Sequence, residues 1–170
     1  SSRAADAEAL LVAKSTQFPK DLDVRLQLAQ HYYAAKRTAE FGGVIAGIEN
    51  PRGQWPNTRL RLGVFYEDLG NAKDAFRQYQ ACAAEEPANR PACRRRQAAL
   101  LLAAGDRPQA EAVLDGALRE DSKDYELRLA RAILRLDAPD PAAVDTAVTD
   151  LKALAAERPA EARAPFHLGR

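Results

Sequence analysis

The chain has 170 residues and nearly equal numbers of basic and acidic side chains, 25 against 24, for a formal net charge of +1. So even a balance removes the electrostatic case for nucleic acid or an anionic membrane surface as a partner. Apolar residues at 46% and charged ones at 29% belong to a folded chain rather than a disordered one.

The longest apolar stretches, Ala9 to Ala13 and Ala98 to Ala104, fall far short of the roughly 20 residues that cross a bilayer. No membrane insertion is therefore expected of this segment, and no basic region followed by an apolar one marks a signal peptide. Alanine is abundant and β-branched residues are sparse, which favours helix before any pattern is considered. Only six of the basic residues are lysines and the rest are arginines, a usage that points to a GC-rich, bacterial genome.

Taken in chain order, the pattern is that of a repeat. Residues 1–21 carry Ala7, Leu11 and Pro19, and read as the second helix of a unit whose first helix is missing. Residues 22–55 open on Leu28-Ala29 and Tyr32, and continue with a helical stripe of Phe41, Ile45 and Ile48. Gly42, Gly43 and Gly47 interrupt that stripe, each costing about 1 kcal/mol relative to alanine inside a helix. They are expected to allow close packing against the next unit; the alternatives are local mobility or a ligand touching bare backbone. Trp55, just before Pro56, is expected to staple the turn into the following helix.

Residues 56–89 form the clearest unit, with Leu62-Gly63, Tyr66, Gly70-Asn71, Ala75, Tyr79, Cys82 and Pro87. Residues 90–122 repeat it with Ala98, Leu101, Gly105-Asp106, Ala110, Leu114 and Ala117. Residues 123–161 repeat it again with Leu129-Ala130, Ile133, Ala147, Leu151 and Pro159, across a longer turn from Asp137 to Pro141. Residues 162–170 look like the start of a further first helix, so the chain is expected to be a piece of a longer array. Gly70 and Gly105 are helix-stop signals, and Pro87 and Pro159 end second helices because proline cannot continue the hydrogen-bond ladder.

The unit at 56–89 resembles a tetratricopeptide repeat, departing from its signature only where Arg59 stands in place of the tryptophan. The resemblance implies an all-α fold: a right-handed solenoid of antiparallel helix pairs running through the whole chain. It also implies a protein-interaction scaffold that takes a peptide or a partner protein along a concave face lined by first helices. By repeat position that face would hold Leu26 and Gln30, Leu60 and Val64, Arg95 and Ala99, and Leu127 and Arg131. One position onward lie Gln27, Arg61, Arg96 and Arg128, so that arginines recur in a row. This row suits a partner with apolar anchors flanked by carboxylates, which arginine grips bidentately. The alternative is a solvated helix face whose arginine stems cover their neighbours. Some relatives clamp a C-terminal carboxylate with lysine and asparagine; Leu26, Gln30 and Arg61 stand at those places, so that clamp is not expected.

Nothing in the sequence suggests catalysis. His31 and His167 lie on different repeats, and no phosphate loop, zinc-protease motif or nucleophile elbow occurs. No metal or cofactor is expected, since two cysteines and two histidines do not supply local ligand pairs. Cys82 and Cys93 are nearly symmetric about Pro87 and face each other near the close end of a helix hairpin. Either they form a disulfide or Cys82 is a small core residue and Cys93 an incidental surface thiol. The expected function is that of a bacterial scaffold within a multiprotein assembly, in the cytoplasm or the periplasm. Two alternatives stay open: a regulatory module whose groove holds its own chain, and a solenoid that associates with itself through its ends.

Overall fold

A computed structural model describes residues 2–50 and 55–158. Pro159 and the start of a further helix expected at 162–170 lie outside the described residues. Those described are all-α, in the order α1 (Ser2–Gln17), α2 (Leu22–Ala34), α3 (Thr38–Glu49), α4 (Thr58–Asp68), α5 (Ala72–Glu85), α6 (Arg90–Ala103), α7 (Arg107–Glu120), α8 (Tyr125–Leu136) and α9 (Pro141–Glu157). A single 3-10 turn, Pro87–Asn89, joins α5 to α6. The chain divides into two compact units, Ser1–Ala75 and Phe76–Arg170.

Local chemistry sets the helix ends. Asp21 caps α2 by accepting the backbone N–H groups of Asp23 and Val24 at 2.9 and 3.3 Å. Asn71, Asp106, Asp124 and Asp140 do the same for α5, α7, α8 and α9. Three turns close in one way. At Gly70, the glycine N–H bonds to the Glu67 carbonyl and the next N–H to that of Tyr66, both at 2.8 Å. Gly105 repeats this with Leu102 and Leu101, and Lys36 with Tyr33 and Tyr32. Their φ values are +72°, +84° and +57°, a left-handed conformation that glycine adopts without strain and lysine does not. The turn before α9 runs without a glycine, and Pro141 takes its first helical position, where no N–H is missed.

In the first unit α2 packs on α1 and α3. Its core gathers Leu22, Ala29, Ile45, Ile48, Trp55, Leu62 and Phe65, with Leu26, Phe41, Val44 and Leu69 partly buried around them. Trp55 is buried in this core. Its indole N–H donates to the Lys20 carbonyl at 2.7 Å, and the Arg25 guanidinium lies 5.4 Å from its ring centre. Glu8 pins α1 to this unit through both carboxylate oxygens, 2.6 and 2.7 Å from Arg37. Arg59 is half-buried and pairs with Glu49 at 3.3 Å.

The close packing expected of the glycines of α3 is not found at two of them. A Cβ on Gly42 or Gly43 would meet nothing within 4 Å, and both residues are exposed. Gly47 alone has a near neighbour, the Arg25 guanidinium, 3.7 Å from where its Cβ would stand.

In the second unit α6 packs on α7, and α8 on both α7 and α9. One cluster joins Ala98, Ala110, Leu114, Ala117, Leu118, Leu127 and Leu134; another joins Tyr125, Leu129, Ala132, Leu151 and Leu154. Cys82 and Cys93 form a disulfide between α5 and α6, with Cα atoms 6.2 Å apart and both residues fully buried. Of the two readings open in the sequence, the bridge is the one found.

Candidate functional site

The expected binding residues of the first unit come together between α2 and α4. Leu26, Gln30, Leu60, Arg61 and Val64 line one groove of about 490 Å³, along with Asp23, Gln27, Phe65 and Asp68. Helical periodicity explains the arrangement: positions four apart on α2 and on α4 share a face. Leu26, Leu60 and Val64 are half-buried, and so expose apolar surface beside the exposed amides of Gln27 and Gln30.

Arg61 does not offer its charge freely, because its guanidinium is bonded to the Asp23 carboxylate across the groove. The same two residues border a second hollow of about 590 Å³, walled by Phe18, Leu22, Trp55 and Pro56. Asp68 has no ion-pair partner among the described residues. Counting Asp23, Arg61 and Asp68, the groove carries one excess negative charge at neutral pH. That is the reverse of what the arginine row suggested.

In the second unit the arginines are likewise held by the chain's own carboxylates. Arg95 reaches Glu126 at 3.0 Å, and Arg128 reaches Glu157 at 2.7 Å. Arg131 sits between Asp115 at 3.2 Å and Asp150 at 3.8 Å. Arg135, which the sequence reading did not single out, extends the network to Glu111 at 2.5 Å. Arg96 is exposed, with its guanidinium 5.7 Å from the centre of the Tyr79 ring. Arg128 and Arg131 line a hollow of about 360 Å³ with Asp115, Leu118, Arg119 and Ser122.

Leu127 has to be withdrawn as a surface residue. It is 1% exposed, inside the cluster formed with α6 and α7, whereas its repeat-position equivalent Leu60 faces the groove. Leu127 is covered by Ala98 of α6 and by Ala110, Leu114, Ala117 and Leu118 of α7.

One feature carries no signal in the repeat pattern. Tyr32, Tyr33 and Phe41 form an aromatic wall at the turn between α2 and α3, around a hollow of about 670 Å³. Only the adjacent tyrosines and the following phenylalanine hint at it in the sequence. Burial, and then the neighbouring Glu8 carboxylate, push the Tyr32 hydroxyl above its ordinary pKa, against a smaller opposing effect of Arg37. A hydrogen bond from Arg37 lowers the pKa of Glu40. Among the described residues, no group of three His, Cys, Asp or Glu side chains is placed to hold a metal ion. No described helix is long and apolar enough to cross a membrane. No protein-family model matches the chain, and no curated protein matches it.

Proposed function

We propose that this chain is a tetratricopeptide-type solenoid without catalytic activity, serving as a scaffold that binds a segment of another protein. The observation that carries this reading is the groove between α2 and α4, where Leu26, Gln30, Leu60, Arg61 and Val64 meet. The recurrence of one turn geometry at positions 36, 70 and 105 supports the repeat architecture. The partner segment would set apolar side chains on Leu26, Leu60 and Val64, and hydrogen-bond to Gln27 and Gln30. With Arg61 engaged by Asp23, a basic residue beside the apolar anchor suits Asp68 better than an acidic one does. The disulfide favours the oxidising alternative among bacterial compartments, the periplasm.

A peptide array tests this directly. Peptides with two leucines spaced four residues apart and flanked by lysines should bind, and the same peptides flanked by glutamates should bind more weakly. Replacing Leu60 and Val64 together by aspartate should abolish binding while the helical circular dichroism is retained. Binding that survives in that variant would remove the groove as the site.

A further inference from the structure

The hollow at the α2–α3 turn is separate from that groove and has a different chemistry. Its walls are Tyr32, Tyr33, Ala34 and Phe41, with Lys36 and Arg37 at the rim. The Tyr33 and Phe41 ring centres are 5.4 Å apart, and Phe41 stacks on Phe65 at 6.4 Å. Phe41 is thus fixed from behind, while Tyr33 remains 42% exposed. At about 670 Å³ the hollow is of a size that takes a small molecule.

The two rim cations are not equivalent. Arg37 is bonded to Glu8 and Glu40, each at 2.6 Å, and lies 4.8 Å from the centre of the Tyr32 ring. Two carboxylates face this one guanidinium, so the cluster holds Arg37 fully engaged and carries one excess negative charge. Lys36 is exposed and has no ion-pair partner among the described residues. It also carries its side chain from a left-handed backbone, φ +57°, where the matching turns have glycine. Of the two cations lining this apolar, aromatic-walled hollow, Lys36 is therefore the one that no described carboxylate engages.

We infer that this hollow binds a small apolar carboxylate. The aromatic or aliphatic body lies against Tyr33 and Phe41, and the carboxylate meets the Lys36 ammonium. A single unengaged cation over apolar walls matches a singly charged acid, whereas a phosphate would need further donors.

The test uses 3-phenylpropionate and octanoate, with 3-phenylpropanamide as the neutral control, followed by the aromatic proton resonances of Tyr33 and Phe41. The acids should bind saturably with one-to-one stoichiometry, about tenfold or more tightly than the amide. Lys36→Gly should weaken the acids by that factor and leave the amide unchanged. Glycine suits the backbone at this position, so a loss of binding in this variant does not come from unfolding. Phe41→Ala should weaken acid and amide alike. The inference is overturned if the acids leave these resonances unmoved at millimolar concentration, if the amide binds as tightly as the acid, or if Lys36→Gly binds the acid like the parent chain. It also falls if only a peptide ending in phenylalanine binds there and the free acids do not.

Discussion

Lys36, between α2 and α3, and Gly70, between α4 and α5, hold the same backbone conformation. Their φ values are +57° and +72°, and each donates its N–H to the carbonyl three residues back, at 3.0 and 2.8 Å. A lysine there bears a steric cost that the glycine does not, and the following Arg37 supplies no side-chain cap to α3 as Asn71 does to α5. Lys36→Gly should therefore stabilise the fold by about 0.5–1 kcal/mol, the relief of strain being partly offset by the greater freedom of glycine in the unfolded chain. Gly70→Ala should do the opposite, by about 1 kcal/mol or more. Urea unfolding midpoints of both variants check this, and equal midpoints would mean that Lys36 is not strained.

The Cys82–Cys93 bond closes a loop across a sequence separation of 11. On the chain-entropy model such a loop contributes about 2–3 kcal/mol. Replacing both cysteines by alanine should lower the unfolding free energy by that order, with cavity costs held small by the conservative truncation. Because both residues are fully buried, dithiothreitol should leave the folded protein oxidised and reduce it only in denaturant. Thiol labelling followed by mass spectrometry distinguishes the two conditions.

Stability should fall at both pH extremes through residues around Arg37. Tyr32 has a raised pKa when folded, so the unfolded chain gives up this proton first. The contribution is complete below the ordinary value of 10.0 and is lost as pH rises through the folded value. Glu40 has a lowered pKa when folded, so its contribution is present above the ordinary 4.5 and is lost as pH falls through the folded value. Tyr32→Phe should flatten the alkaline limb of a stability–pH curve, and Glu40→Gln the acid limb. Unchanged slopes in both would mean that the Glu8–Arg37–Glu40 cluster does not couple to folding.

Leu127 and Leu60, expected on one face from the sequence pattern, have different surroundings, one in the core and one on the groove. Leu127→Ala should cost about 2–5 kcal/mol, as truncation of a buried leucine does, and should leave peptide binding by the surviving folded fraction unchanged. Leu60→Ala should cost less in stability and weaken the peptide. Calorimetric titration beside thermal melts separates the two effects.

Helix character and most helix stops are legible in the amino-acid sequence. Gly70, Gly105, Pro87 and Pro141, with the capping Asp and Asn residues, act on backbone groups within one turn of themselves, so short-range chemistry is enough to locate them. The approach of Cys82 to Cys93 was legible for the same reason, since their near-symmetry about Pro87 brings them to the close end of a hairpin. The grouping of Leu26, Gln30, Leu60, Arg61 and Val64 on one face was what the resemblance implied, and these five do line one groove between α2 and α4.

The tertiary structure decided which of those side chains are free. Arg61, Arg95 and Arg128 meet carboxylates some thirty residues away or more, and no local pattern announces those partners. Leu127 is buried because α6 and α7 close over it, whereas a position in the sequence pattern assigns a face without knowing what covers it. The exposure of Gly42 and Gly43, and the aromatic hollow beside Lys36, depend in the same way on where neighbouring helices stop. Burial and charge pairing belong to contacts between distant segments, and only the packed chain brings those segments together.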